Sequence, residues 1–483
     1  MFRSVAGVHI LNMSSKGDRL LRSFREAALT LLAMLATLAC AQWLEAGAES
    51  AVLAVVLSLS LARSHLAGGR RGRWEALLAL PLVSLASVGV GALLRHVPWA
   101  GATVFVALMA SSIWMRRFGP LALRAGSLIA LPLVTLLVAS PLPARDGGAL
   151  ARAIVPVAIA IAALAWVTLA EAFGRRIGWL APPDPHAVDV DVDVDAPPAP
   201  AAGALRPSPH TRMALQMAAA IAASFAVGAA FFPSHWSWIV LTAFIVNSGN
   251  RGRQDVVHKS ALRVAGAAAG TVAALALAGV ANAQGVVVAA LILACVFLGV
   301  WLRPLGYGWW ALFVTLALAL LQGLQPAIAA PLSLLWQRLV EIAIGAVIGL
   351  AAAWFVLPIR STDVLRRRLA DALAAMSEAL DPQRGARSAQ PVVAALRRVE
   401  QLRPSFHARR LALRRWQALQ PADWIDALVA CEAPVVALVE CGEAPGAVRQ
   451  AVGAARKAMR EPAEVGPALA ALQQALQRSP AVS

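Results

Sequence analysis

The chain reads as an all-α polytopic membrane protein: about twelve transmembrane helices in two six-helix parallel repeats, followed by a C-terminal cytoplasmic helical domain. Three observations predict this. Composition is the first: 59% of residues are hydrophobic and only 14% charged, with a mean hydropathy of +0.68, against roughly 45–50% apolar and 25% charged in soluble domains. The second is charge placement, since basic residues gather in every second connection between apolar runs. The third is a duplication. The phrase Trp114-Met115-Arg116-Arg117-Phe118-Gly119 returns as Trp301-Leu302-Arg303-Pro304-Leu305-Gly306, an offset of 187 residues that also carries Arg25 onto Arg212.

The runs approach the roughly 17–25 residues that a bilayer requires. In the first repeat, expected over residues 1–180, they lie near Ala27 to Trp43, Ala48 to Ala62, Ala76 to Leu94, Trp99 to Met115, Leu121 to Leu142 and Ala153 to Phe173. In the second, over residues 211–359, they lie near Met213 to Phe232, Trp236 to Ser248, Leu262 to Val280, Gly285 to Trp301, Trp309 to Gln322 and Ser333 to Leu357.

Lys and Arg accumulate in cytoplasmic loops, so their placement sets orientation. Arg19, Arg22 and Arg25 precede the first run, Arg70, Arg71 and Arg73 follow the second, and Arg116 and Arg117 follow the fourth. The alternation continues through Arg175 and Arg176, then Arg251, Arg253 and Lys259, then Arg303, then Arg360 with Arg366, Arg367 and Arg368. Both termini are therefore expected on the cytoplasmic side. An even number of spans per half gives the two copies the same orientation, a parallel rather than inverted repeat.

The net charge of +17 resembles the footprint of a nucleic-acid binder, but the positive-inside rule already accounts for it, and no nucleic-acid partner is expected. The first run follows a long charged leader and has span length, unlike a secretory signal. Cys40 and Cys295 fall in runs, and Cys431 and Cys441 in the tail, which suggests neither a disulfide framework nor a zinc site. None of Lys16, Lys259 and Lys457 follows a glycine, so a Walker A loop is absent, and no Gly-x-Ser-x-Gly elbow appears. No enzyme activity, cofactor or metal is expected.

Residues 181–210 are rich in Pro, Ala and Asp without helical period and read as a disordered cytoplasmic linker. The alternating Asp189 to Asp195 lacks the glycine and distal glutamate of a calcium loop. Residues 360–483, rich in Ala, Leu and Arg with breaks at Asp381-Pro382, Pro404, Pro421 and Pro445, read as the helical domain.

Polar groups inside spans are costly, which makes each a functional candidate. In the last run Arg338, Glu341, Gly345 and Gly349 share one helical face. One reading makes Glu341 a proton-coupling carboxylate and Arg338 an anchor for an anionic substrate; the other makes them a structural ion pair. Gly345 and Gly349 form a small-xxx-small contact, as do Gly266 and Gly270 after Arg263. Arg263 either lines the route or snorkels to the cytoplasmic headgroups. Thr242 and Asn247 need partners from a neighbouring helix, water or ligand. Trp236 reads as an interface anchor. Arg152 opens the last span of the first half much as Arg338 opens that of the second.

The block from Arg212 to Val280 runs through PSHWSWIVLTAFIV, RGRQD and ALRVAGAAAG, and RLVEIAIGAVIG begins at Arg338. Together they resemble the fusaric acid resistance and aromatic acid exporter family, the FUSC-like inner-membrane proteins. The resemblance joins a Trp-x-x-x-Thr span, an Arg-x-x-Gly-x-x-x-Gly span and an Arg-x-x-Glu-x-x-x-Gly span in order. It implies a secondary, proton-driven efflux transporter of aromatic carboxylic acids or related small toxic compounds across a bacterial inner membrane. Some relatives work beside a periplasmic adaptor, which makes an adaptor a candidate partner besides the bilayer and the small organic acid; a homo-oligomer stays open. By family pattern Trp238, Thr242, Arg263, Gly266, Gly270, Arg338 and Glu341 are the positions implied. The first half departs from it, with Ala51 opposite Trp238 and Ile154 opposite Glu341 at the 187-residue offset. Two alternatives remain: an organic-anion channel, and a non-transporting membrane scaffold.

Overall fold

The computed structural model describes residues 2–63, 69–139, 148–180, 207–233, 235–281, 285–323, 332–383, 387–413 and 420–479. Most of the expected linker lies outside them. The described residues are helical, with no strand among them. They form two compact units, one of 12 α-helices and the other holding the tail.

The membrane unit runs through α1 (Phe2–Trp43), α2 (Ala48–Arg63), α3 (Gly69–His96), α4 (Pro98–Trp114), α5 (Pro120–Ala139) and α6 (Ala149–Arg176). It continues with α7 (Pro209–Phe231), α8 (Trp236–Asn247), α9 (Arg253–Ala281), α10 (Gly285–Trp301), α11 (Tyr307–Gly323) and α12 (Leu332–Phe355). A helix falls on each apolar run, because in hydrocarbon only a helix satisfies its own backbone. Starts are locally encoded. Ser208 caps α7 by accepting the Thr211 N–H at 3.2 Å, with Pro209 in the first turn, where its missing N–H costs nothing.

Length separates the helices. Among the described residues, seven segments are long and apolar enough to cross a membrane: Gly17–Trp43, Arg73–His96, Pro98–Phe118, Ile154–Arg176, Pro209–Phe231, Arg253–Leu277 and Trp336–Phe355. The other five apolar helices are shorter. Trp236–Asn247, with 12 residues, reaches only ~18 Å at about 1.5 Å per residue, against roughly 30 Å of hydrocarbon. The chain is a multi-pass membrane protein.

The duplicated phrase folds alike in both places. After Trp114 a 3-10 turn, Met115–Phe118, ends at Gly119 with φ +101°; after Trp301 the turn Arg303–Leu305 ends at Gly306 with φ +149°. Both glycines stand where a side chain would be strained. Helix pairing also recurs. The helices α1, α2 and α6 pack mutually, as do α7, α8 and α12; α4 packs on α5 and α10 on α11. Across the halves α4 meets α7, and α1 meets α10. The second crossing is locked by the Ser23 hydroxyl donating to the Trp301 carbonyl at 2.8 Å and the Trp301 indole donating to the Leu20 carbonyl at 3.2 Å.

The tail unit holds α13 (Ser361–Ala379), α14 (Gln390–Glu400), α15 (Arg403–Leu413), α16 (Pro421–Val429), α17 (Glu432–Glu440), α18 (Gly446–Ala458) and α19 (Pro462–Gln477) around a core that includes Leu373, Leu396, Ile425, Leu438 and Leu472. Arginines satisfy the orphan carbonyls at helix ends: Arg368 donates to the Arg398 carbonyl at 2.7 Å, and Arg366 to those of Met459 and Arg460 at 3.1 Å each. Gly249–His258 belongs to this unit too. The Gln254 N–H donates to the Ser361 hydroxyl at 2.9 Å and the Arg253 N–H to the Ile359 carbonyl at 3.2 Å.

Candidate functional site

Two glycine pairs decide which helices meet. On α12, a Cβ at Gly345 would stand 2.5 Å from the Ile239 carbonyl oxygen and 2.9 Å from the Thr242 Cβ; one at Gly349 would stand 2.8 Å from the Asn247 Nδ2. On α9, a Cβ at Gly266 would stand 2.7 Å from the Ala311 Cβ, and one at Gly270 2.6 Å from the Leu312 carbonyl oxygen. Backbones therefore touch along an α8–α12 seam and an α9–α11 seam, and larger residues would force both apart.

Close packing carries Trp238, Thr242 and Asn247 of α8 onto the face of α12 that bears Arg338 and Glu341. Arg338 is 3% exposed, and its guanidinium carbon lies 3.8 Å from the centroid of the Trp238 ring. Among the described residues none of its three nitrogens finds a hydrogen-bond acceptor. The ion-pair reading of Arg338 with Glu341 thus lacks its hydrogen bond: the guanidinium lies on an indole face instead. Glu341 is 1% exposed with Oε1 unpaired. Thr242 Oγ1 is unpaired as well, and Asn247 donates to the Ala243 carbonyl at 3.0 Å while its Oδ1 accepts nothing.

Magnitudes indicate what such a seam is suited to. A desolvated cation–π contact contributes about 2 kcal/mol, whereas burying an ion costs several and each unpaired polar group about 1–3 kcal/mol more. Trp238 offsets only part of the cost of Arg338. An anionic group presented to the guanidinium fork would supply the missing acceptors.

Arg263 does not snorkel. It is 2% exposed, and its Nη1 donates to the Thr315 hydroxyl of α11 at 3.3 Å while Nε is unpaired. The contact follows from the geometry of α9, since the glycines one and two turns beyond Arg263 draw α11 close enough for Thr315 to reach it. Arg263 and Arg338 lie within Coulombic reach of each other, so two buried cations and one carboxyl share the region. Trp236 tucks against Phe225, with ring centroids 5.1 Å apart, and over Gly228. Arg152 belongs to the first turn of α6, but its side chain lies outside the described residues.

Sequence reasoning missed three residues. Thr315 holds Arg263. Gln337 precedes Arg338, and its Nε2 lies 3.4 Å from His235 Nδ1. Ser224 of α7 is fully buried with its hydroxyl unpaired. The 187-residue offset would have found it, because its counterpart Thr37 is buried too, accepting from the Ser58 hydroxyl at 3.1 Å.

A polytopic helical fold with buried charge along a helix seam defines a membrane protein of transporter type. Residues 217–352, from α7 to α12, match the family described as fusaric acid resistance protein-like, and this part of the chain is FUSC-like. The match takes in Trp238, Thr242, Asn247, Arg263, Arg338 and Glu341. No curated relative matches the chain.

Proposed function

We propose that this protein is a secondary efflux transporter that carries organic anions, aromatic carboxylates foremost, across the bacterial inner membrane in exchange for protons. One observation carries the reading: the Arg338 guanidinium is buried over the Trp238 ring and, among the described residues, none of its nitrogens has an acceptor. A carboxylate can take two of those N–H groups side by side, a geometry that the planar guanidinium fork matches. The inside-negative potential favours anion exit by roughly 2.3 kcal/mol per 100 mV, and proton influx through Glu341 would add to it.

The membrane unit is proposed as twelve spans in two parallel six-helix repeats, with both termini in the cytoplasm. The recurring mutual packing of first, second and last helices, and the reciprocal α4–α7 and α1–α10 crossings, support that arrangement. So does the paired left-handed geometry of Gly119 and Gly306. In this reading the bilayer and the organic acid are partners, a periplasmic adaptor is a further one, and neither nucleic acid nor a chemical reaction is involved.

Energised membrane vesicles test the proposal. Glu341→Gln should abolish gradient-driven accumulation of aromatic acids, and Arg338→Gln should abolish saturable binding. Downhill flux that persists undiminished in Glu341→Gln, together with unchanged accumulation, would instead indicate a channel. Growth inhibition of a deletion strain across a panel of aromatic acids identifies the substrates.

A further inference from the structure

Glu341 lies within hydrogen-bonding reach of Gln337, one turn earlier on α12, and the Gln337 amide extends its Nε2 to 3.4 Å from His235 Nδ1. His235 stands in the connection between α7 and α8, at the end of α8 away from the basic Arg251 and Arg253. It is the residue before the first turn of α8, yet its side chain makes no capping hydrogen bond. Ser, Thr, Asp and Asn are the usual residues there; the imidazole turns to Gln337 instead. A buried carboxyl, an amide and a partly exposed imidazole therefore stand in a row.

We infer that His235, Gln337 and Glu341 form a proton relay: the Glu341 O–H breaks as the Gln337 amide oxygen takes that hydrogen, a Gln337 Nε2–H breaks as His235 Nδ1 takes its hydrogen, and the imidic acid so formed returns to the amide as the hydrogen moves from Oε1 to Nε2 and the group rotates. The inference rests on the reading of Glu341 as the coupling group. With His235 neutral, its Nδ1 lone pair accepts from the Gln337 Nε2–H, and the amide oxygen faces Glu341, where it accepts from a protonated carboxyl. With His235 protonated, Nδ1 carries a hydrogen and must meet an oxygen. The amide then turns, presenting Oε1 to the imidazolium and its NH2 to an ionised Glu341. Imidazolium with carboxylate, and imidazole with carboxylic acid, hold the same proton count. The amide is restored after each transfer, and no redox step is needed.

Charges around the imidazole fit this role. From α12 the Arg338 cation lies within Coulombic reach of it, while His210 and Arg212 of α7 stand at the opposite, N-terminal end of that helix. Burial, and then the Arg338 cation, hold the His235 imidazole below its ordinary pKa. Its protonated form is accordingly reserved for the more acidic face of the membrane, the outer one in a respiring cell.

The test is infrared difference spectroscopy of the full-length protein in lipid vesicles. The carboxylic C=O band of Glu341 is assigned by its loss in Glu341→Gln and titrated over pH. Two interacting sites titrate in two steps that belong to the pair, so the wild-type band should follow two steps. His235→Asn keeps an acceptor at a favourable capping position, and Gln337→Leu removes the amide alone; in each the band should collapse to a single one-proton curve. A band that titrates identically in the wild type and both variants overturns the relay. Vesicle transport on the same preparations addresses the parent reading separately: if Glu341→Gln transports like the wild type, the coupling role fails whatever the shape of the titration.

Discussion

The guanidinium carbon of Arg338 lies over the indole of Trp238, 3.8 Å from the ring centroid, and this contact holds a cation whose nitrogens find no acceptor among the described residues. Arg338→Lys keeps the charge but loses the planar fork and the stacked geometry. It should weaken substrate binding by at least tenfold, and Trp238→Leu by roughly thirtyfold, the equivalent of about 2 kcal/mol. Trp238→Phe should recover part of the loss. Binding measured by isothermal titration in detergent decides this; affinity unchanged in Trp238→Leu would remove the stack from the site.

Glycines at the seams should tolerate nothing larger. Gly345→Ala places a methyl 2.5 Å from the Ile239 carbonyl oxygen, and Gly270→Ala one 2.6 Å from the Leu312 carbonyl oxygen. Because backbone must shift, each should cost about 1–3 kcal/mol and lower the midpoint of thermal unfolding. Gly89→Ala is the control, since no atom lies within 4 Å of its Cβ position. Equal midpoints for Gly345→Ala and Gly89→Ala would refute close packing of α8 on α12.

Ser361 accepts the Gln254 N–H at 2.9 Å and packs on Gly252, which has φ +113°. Ser361→Ala should therefore destabilise the tail unit by about 1–2 kcal/mol through the unpaired donor. Gly252→Ala should do worse, because it adds both backbone strain and a Cβ 2.7 Å from the Ser361 hydroxyl oxygen. Hydrogen exchange at Gln254 reports the loss directly, and protection equal to the wild type in Ser361→Ala would rule the bond out.

The two tail thiols should differ in reactivity. Burial pushes the Cys431 thiol up to about 12, so at pH 8 its thiolate fraction is on the order of one in ten thousand, and it gains reactivity only as pH rises toward that value. Cys441 is exposed. Maleimide at pH 8 should label Cys441 within minutes and Cys431 only after denaturation. Rapid labelling of Cys431 in the native protein is the contrary result.

Much of this architecture was legible in sequence. Helix positions were readable because backbone satisfaction in lipid leaves the chain one local option, so each apolar run from Ala27 to Leu357 coincides with a helix. Glycine spacing at Gly266 and Gly270, and at Gly345 and Gly349, likewise marked faces where backbones approach. Partner choice was not readable. Nothing in the spacing of Arg338 and Glu341 tells whether the cation turns to its neighbour three residues on or to a ring on another helix, and nothing local assigns Arg263 to Thr315 rather than to headgroups.

By itself the amino-acid order determined which stretches are helical, where charge enters the hydrocarbon, and that Trp114 to Gly119 and Trp301 to Gly306 should turn alike, because propensity, hydropathy and glycine geometry act within a few residues. Tertiary structure alone decided that Arg338 rests on Trp238, that Gln337 links His235 to Glu341, and that Ser361 holds the start of α9. Those pairings join residues up to 107 positions apart, and they exist only once helices are packed at distances that side-chain volume, not sequence proximity, sets.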